Sequence, residues 1–187
     1  MGTDKADLTL GGQTLLERVL ELPDALSDDL LVVTRHVERY AHLPARVIHD
    51  EPGPPGSLLG IYSGVKAAQH DLALVVACDM PFLSQHLLRH MASLAPGYDV
   101  VAPRLGGYAE PLHAIYRKTC LAPMRALLDG GERRIVSFFP QVQVRYVGEP
   151  ELERFDPQRW SFVNVNTPED WRQAQDLFAA AQGRPER

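Results

Sequence analysis

The chain contains few cysteines and no long apolar run. Among its 187 residues, Cys78 and Cys120 are too few for a disulfide framework or a cysteine-based metal cluster. No stretch approaches the ~18 to 20 apolar residues that cross a bilayer, and residues 1–5 do not resemble a signal peptide. These absences predict a cytoplasmic protein with no membrane partner.

The chain also lacks an excess of basic residues. Its net charge of -5 argues against a nucleic-acid partner, although a local basic site for phosphates is compatible with that total. Hydrophobic residues make up 45% and charged residues 23%, which are ordinary values for a globular protein. The length predicts one domain spanning residues 1–187.

Short apolar runs alternate with helical patterns along the first half. Residues 30–33, 46–48 and 72–77 are apolar without polar alternation, which predicts buried strands. Between the last two runs, residues 58–68 carry apolar side chains at helical spacing. This strand, helix, strand order predicts a right-handed crossover and an α/β fold with a parallel sheet.

The remaining elements are predicted from the same two periodicities. Further strands are expected at residues 99–102, 112–116, 142–147 and 162–165. Further helices are expected at residues 14–22, 121–128 and 168–181, with Thr14 and Thr167 as N-caps of the first and last of them.

The most informative motif is Cys-Asp-Met-Pro, which contains Asp79. It follows six apolar residues, so Asp79 is expected where a buried strand leaves the sheet, the usual position of ligands in open α/β sheets. A carboxylate there can hold Mg²⁺ together with water and phosphate oxygens. Alternatively, Asp79 begins a turn or caps a helix near Ser84. The position alone does not separate these hypotheses, and the other motifs favour the metal.

A second motif follows the strand at residues 46–48. Asp50 is succeeded by a Pro/Gly-rich loop and by Gly56 and Gly60. Small residues let the backbone approach a base or ribose, and a carboxylate accepts hydrogen bonds from guanine N–H groups or sugar hydroxyls. A simple turn that begins with Asp explains the spacing alone better.

A third motif, Asn-Val-Asn-Thr-Pro-Glu, places Asn164 and Asn166 on one face of a predicted strand. Two amides at the start of a helix can orient a metal-bound water or a phosphate. Alternatively, Asn166 and Thr167 only cap the last helix. A polar residue inside an apolar strand is costly unless it is hydrogen-bonded, which favours a site role for Asn164.

Three cations are candidates for phosphate binding. Arg133 and Arg134 follow a Gly pair, and Lys5 lies near the start of the chain. Guanidinium groups suit phosphate or carboxylate recognition. Taken alone, however, each of these segments is typical of a solvated surface.

Taken together, these motifs resemble the MobA-type molybdenum cofactor guanylyltransferases. The matching pieces occur in the family's order over nearly the full length: MG-TDKA at the start, Asp50 with PPGSLLG, CDMP, GERR and NVNTPE. CDMP is shared with other nucleotidyltransferases, whereas NVNTPE with GERR is more specific to the guanylyltransferase branch.

The resemblance implies a Rossmann-like three-layer sandwich with a mostly parallel central sheet, as in nucleotide-diphospho-sugar transferases. It implies GTP and molybdopterin as substrates, Mg²⁺ as cofactor, and a guanine dinucleotide cofactor plus pyrophosphate as products. Transient contact with proteins that deliver or accept the cofactor is a further expectation. A related enzyme that uses CTP or a sugar phosphate is the nearest alternative.

The resemblance also assigns roles to residues. The resemblance implies that Asp79 binds Mg²⁺ and that Asp79, Asn164 and Asn166 are catalytic. The residues expected to contact GTP are Lys5, Asp50, Gly56, Gly60 and Asp79, with Arg133 and Arg134 as phosphate-binding candidates. Thr34 stands where the family has an Asn, and Glu110, His113 and Tyr116 are candidate neighbours of the pterin.

The family pattern begins with a strand and a glycine-rich loop, LAGGxSxRMG, directly before the DKA segment. This chain begins at the Met-Gly of that loop. We therefore expect a start upstream of Met1, and we expect the chain as given to expose two sheet edges where a central strand would lie. A non-catalytic module that binds a cofactor or a partner protein is the alternative from another class.

Overall fold

The computed structural model describes residues 5–21 and 26–182. Within them the strands are β1 (Thr9–Leu10), β2 (Gln13–Thr14), β3 (Leu31–Val33), β4 (Arg46–Ile48), β5 (Leu72–Val76), β6 (Val100–Leu105), β7 (Tyr108–Ala109), β8 (His113–Arg117) and β9 (Val144–Val147). The α-helices are α1 (Leu15–Leu20), α2 (Val37–Tyr40), α3 (Ser57–Ala67), α4 (Gln85–Leu94), α5 (Leu121–Asp129), α6 (Glu149–Phe155) and α7 (Pro168–Gln182).

The α/β class is confirmed, and the central sheet is mixed. Its strand order is β5-β8-β6-β7, and β9 also pairs with β6. Strand β8 runs antiparallel to both neighbours, whereas β9 is parallel to β6 and β3 is parallel to β4. The parallel expectation fails at β8 because the connection from β6 to β8, through the turn at Gly106 and Gly107, is too short for a crossover.

An apolar cleft separates β3 from β5. Helix α3 packs against both strands, yet in the described part of the chain β3 and β5 belong to different sheets. The cleft has a volume of about 730 Å³ and is lined by both strands. The expectation of two exposed sheet edges is therefore confirmed.

The five-stranded sheet is covered by helices on both faces. Alternate residues of β6 point to opposite sides, so Val100 packs in the cluster with α3 and α5, and Val101 packs in the cluster with α4 and α6. Tyr116 and Phe138 fill the first cluster, and each side chain of this size contributes about 2 to 3 kcal/mol through burial. The sheet is thus the middle layer of three.

Most of the remaining element predictions hold, with one clear error. The segment at residues 162–165 is not a strand: a 3₁₀ turn spans Trp160–Phe162, and the following residues are irregular. The N–H of Val165 bonds to the residue that follows β5 by three positions, but the segment does not pair with a strand. The apolar run here therefore indicates burial and not a β-strand. Helix α6 and the β1–β2 hairpin were not predicted.

Both predicted N-caps are confirmed by side-chain hydrogen bonds. Thr14 accepts from the N–H of Glu17, and Thr167 accepts from the N–H of Asp170. The predicted end of the first helix at residue 22 lies outside the described residues. No helix in the described ranges is long and apolar enough to cross a membrane.

A histidine lies wholly buried at the start of β8. His113 is 0% exposed, and neither ring nitrogen has a hydrogen-bond partner of ordinary geometry. Its ring centroid lies 5.1 Å from that of Phe162. Burial lowers the pKa of His113 to about 4, and the backbone of Ser161 opposes this shift only in part. His113 is therefore neutral at physiological pH.

This burial predicts a specific loss of stability in acid. Between its usual value of 6.5 and about 4, the unfolded chain binds a proton at His113 that the folded chain does not. The free energy of unfolding should therefore fall by about 2 to 3 kcal/mol as the pH drops from 7.5 to 4.5. A His113→Phe variant should escape this part of the loss in urea unfolding at both pH values. An identical pH dependence of the variant and the parent chain would contradict the assignment.

Candidate active site

The site is built around the residue that follows β5 by three positions. Asp79 lies in a turn in which the N–H of Met80 bonds to the carbonyl of Ala77, and its side chain is 21% exposed. The Nζ atom of Lys5 lies 4.0 Å from Oδ2 of Asp79. Burial raises the pKa of Asp79, and the charge of Lys5 opposes that rise. A partly dehydrated carboxylate is thus placed beside a cation at the carboxyl end of a strand.

The segment before α7 is fixed to this carboxylate by the backbone. The N–H of Val165 donates to the carbonyl of Asp79 at 2.9 Å, which places Asn164 and Asn166 on either side of that contact. Lys5 donates to the side-chain oxygen of Asn166. The structure therefore brings together Lys5, Asp79 and the two asparagines, although they are far apart in sequence.

The side chains of the two asparagines have different surroundings. Oδ1 of Asn164 is buried and has no hydrogen-bond partner, whereas Asn166 is exposed. The backbone N–H groups of Asn166 and Thr167 both donate to the carboxylate of Asp170, which holds the start of α7 rigidly. A buried amide oxygen without a hydrogen-bond partner is costly, so Oδ1 of Asn164 is an unused acceptor in the segment that adjoins Asp79.

The Pro/Gly loop after β4 places small residues around Asp50. A Cβ atom at Gly60 would lie 3.8 Å from Oδ1 of Asp50, so α3 passes directly beside this carboxylate. Gly56 precedes α3 with φ 154°, a conformation that favours glycine. Thr34, at the end of β3, accepts a hydrogen bond from the N–H of His36 and lines the cleft between β3 and β5.

Arg133 and Arg134 lie beside the Pro/Gly loop. Both are exposed, and Nη1 of Arg133 donates to the carbonyl of Pro55 at 3.4 Å. Their contacts in the described part of the chain are with this loop and with Glu132, and not with Asp79. The structure thus separates these arginines from the Asp79 cluster.

The three candidate neighbours of the pterin differ in accessibility. His113 and Tyr116 are fully buried, and the Tyr116 hydroxyl donates to the carbonyl of Pro111 at 2.6 Å. Neither side chain is accessible in this structure, and their place as neighbours of the pterin stays a prediction. Glu110 is half-buried, and burial raises the pKa of its carboxyl group.

The donor set around Asp79 consists of oxygen atoms, which suit hard divalent cations such as Mg²⁺. Within residues 5–21 and 26–182, no group of three or more His, Cys, Asp or Glu side chains could hold an ion. Zinc-type sites need such a group, whereas Mg²⁺ takes one or two carboxylates and fills its other positions with water and phosphate oxygens. Asp79, with the unpartnered amide oxygen of Asn164 in the adjoining segment, fits Mg²⁺.

Comparisons with known proteins identify the family of the chain. A family model described as the MobA-like NTP transferase domain matches residues 1–145. A probable molybdenum cofactor guanylyltransferase of Pelotomaculum thermopropionicum is 35% identical over 170 residues, covering 91% of this chain and 83% of the relative. A molybdenum cofactor guanylyltransferase of Desulfosudis oleivorans is 32% identical, covering 96% and 89%.

Solved structures give the same result. Molybdopterin-guanine dinucleotide biosynthesis protein A of Archaeoglobus fulgidus matches with a TM-score of 0.84 and 28% identity, over 96% of this chain and 92% of that chain. A 2-C-methyl-D-erythritol 4-phosphate cytidylyltransferase of Thermus thermophilus has a TM-score of 0.70 at 19% identity, covering 92% and 93%, and shares the fold. The resemblance read from the motifs is confirmed, and the chain belongs to the MobA-like NTP transferase family.

Proposed function

We propose that this chain is a molybdenum cofactor guanylyltransferase, which transfers GMP from GTP to molybdopterin and releases pyrophosphate. The support comes from relatives of that name that align with more than nine-tenths of the chain. It also comes from one structural observation: Lys5, Asn166 and Asp79 meet at the carboxyl end of β5, where α/β enzymes bind their ligands. We place the reaction in the cytoplasm.

In this proposal the nucleotide lies between the Pro/Gly loop and Asp79. The Asp50 carboxylate accepts hydrogen bonds from guanine N–H groups or ribose hydroxyls, and Gly56 and Gly60 allow close approach to the base. Lys5 then contacts the phosphates from its position beside Asp79.

Asp79 would hold Mg²⁺, and Asn164 and Asn166 would orient the groups that approach it. When bound, the ion supplies positive charge that neutralises phosphate oxygens as the two anionic reactants approach. Asp79 is partly shielded from water, and charge interactions are stronger in such surroundings because the effective dielectric constant is lower there. Because Lys5 is already in place, the protein needs little rearrangement to receive a second anion.

The transfer itself needs no covalent intermediate on the protein. A phosphate oxygen of molybdopterin attacks the α-phosphorus of GTP, a P–O bond forms, and the bond to the leaving pyrophosphate breaks with its electron pair. The buried thiol of Cys120, whose pKa burial raises to about 12, and the enclosed imidazole of His113 are both unsuited to nucleophilic attack. The task of the residues is alignment and charge neutralisation.

Replacing the Asp79 carboxylate tests this role directly. Asp79→Asn should lower Mg²⁺-dependent formation of the dinucleotide by about a hundredfold or more, because the amide keeps the shape and loses the charge. The measurement is product formation from GTP and molybdopterin at saturating Mg²⁺. Asp176→Asn, at an exposed position of α7, is the matched control and should keep full activity. An active Asp79→Asn protein would remove the basis for the proposal.

Nucleotide choice separates guanylyl transfer from the cytidylyl alternative. With molybdopterin as acceptor, pyrophosphate release should be at least about tenfold faster with GTP than with CTP, because Asp50 is matched to guanine N–H donors. Asp50→Asn should reduce this preference, and unchanged folding is checked by circular dichroism. Equal or faster turnover with CTP would assign the chain to the other branch.

A further inference from the structure

A second concave surface lies beside the site, and it contains three arginines. It is about 1000 Å³ in volume and is bounded by the Pro/Gly loop, the β6–β7 hairpin and the 3₁₀ segment Ile135–Gln141. We name it the arginine groove, defined by Arg104, Arg133, Arg134, Tyr108 and Tyr146.

The arginine groove carries three cations that form no ion pair with any described residue, and Glu132 interacts with the charge of Arg134 at longer range. In the part of the chain that the structure describes, Arg104, Arg133 and Arg134 form no ion pair, and the groove is lined by no Asp or Glu. Glu132 directs its carboxylate to the backbone N–H groups of Arg133 and Arg134 instead. In a chain of net charge -5, three unpaired guanidinium groups on one surface predict an anionic ligand.

The same groove offers flat aromatic surfaces. Tyr108 is 76% exposed at the end of the β6–β7 turn. The guanidinium carbon of Arg104 lies 5.2 Å from the centroid of the Tyr146 ring, and Nε of Arg104 is fixed by a 3.0 Å hydrogen bond to the carbonyl of Gly107. An exposed tyrosine next to a stacked guanidinium suits a planar ring system with negative charges attached.

The end of the groove that contains Arg104 lies at the same edge of the sheet as Asp79, and Val142 and Val144 line the groove towards the opposite edge. Strands β5 and β6 both run antiparallel to β8, so their carboxyl ends point the same way. Arg104 is near the carboxyl end of β6, and β8 alone separates that strand from β5. Two inter-strand spacings amount to roughly 10 Å. A ligand in the groove can therefore extend an arm along the edge of the sheet to Asp79.

We propose that the arginine groove binds the acceptor substrate, a planar pterin that carries anionic groups and a phosphate arm. The ring stacks on Tyr108 and beside Tyr146, the arginines bind the anionic groups, and the phosphate arm reaches the Asp79 cluster. Tyr108 is then a specificity-determining residue for the acceptor. This assignment rests on the proposed function, because the acceptor class comes from it.

Binding of a stable oxidised pterin with a phosphate monoester arm tests the groove. Its fluorescence is titrated against the whole chain without nucleotide. Tyr108→Ala and Arg104→Gln should each raise the Kd of this probe by about tenfold, whereas Tyr108→Phe should preserve binding. The affinity for GTP with Mg²⁺ should stay unchanged in all three variants. Arg172→Gln, at an exposed site on α7, is the matched control for loss of one charge.

Two results would overturn the assignment. One is a probe affinity that Tyr108→Ala and Arg104→Gln leave unchanged. The other is an equal loss of GTP affinity in these variants, which would make the groove part of the nucleotide site. Because both side chains are exposed, circular dichroism should show an unchanged fold.

An incorrect assignment of the groove and an incorrect proposed function would give different experimental results. If the parent chain transfers GMP to molybdopterin and Tyr108→Ala keeps the same KM for molybdopterin, the groove assignment is wrong and the function stands. If the probe binds in the predicted residue-dependent way while no transfer occurs, the groove stands and the function is wrong.

Discussion

A single main-chain hydrogen bond, from the N–H of Val165 to the carbonyl of Asp79, fixes the geometry on which the rest of the site depends. It attaches the segment before α7 to the end of β5. Because the start of α7 is itself held by Asp170, the two asparagines cannot move independently of the carboxylate. Lys5 then closes the cluster from the opposite end of the chain. Distant segments are combined into one rigid polar unit at the edge of the sheet.

The distribution of charge explains how an acidic protein can accept anionic ligands. Several arginines elsewhere on the surface form ion pairs, such as Arg46 with Asp29 and Arg145 with Glu151. The cations at the edge of the sheet are placed differently: Lys5 forms a long ion pair with Asp79 at 4.0 Å, and the arginine groove has no carboxylate among its lining residues. Net charge describes the whole surface, whereas binding depends on this local arrangement.

Several features could be predicted from the sequence because they depend on local chemistry. Apolar runs identified β3, β4, β5, β6 and β8, and Thr14 and Thr167 marked helix starts through their hydroxyl groups. The position of Asp79 followed from its place after a buried run. The motif resemblance also anticipated the open edges of β3 and β5, which belong to different sheets in the described part of the chain.

Other features depend on contacts between distant residues, and the sequence did not predict them. The burial of His113 and Tyr116 follows from the antiparallel insertion of β8, which depends on the short turn after β6. The apolar side chains of residues 162–165 are at least partly buried, although the segment pairs with no strand. The arginine groove combines Arg104 and Tyr108 with Arg133 and Arg134, and no local pattern links these two segments.

The central claim is that Asp79 couples a divalent cation to nucleotide binding. The most direct measurement is calorimetry of GTP binding in the presence and absence of Mg²⁺, for the parent chain and for the Asp79→Asn variant. The account predicts that Mg²⁺ tightens GTP binding to the parent by about tenfold or more and leaves the affinity of the variant nearly unchanged. An equal enhancement by Mg²⁺ in both proteins would contradict it.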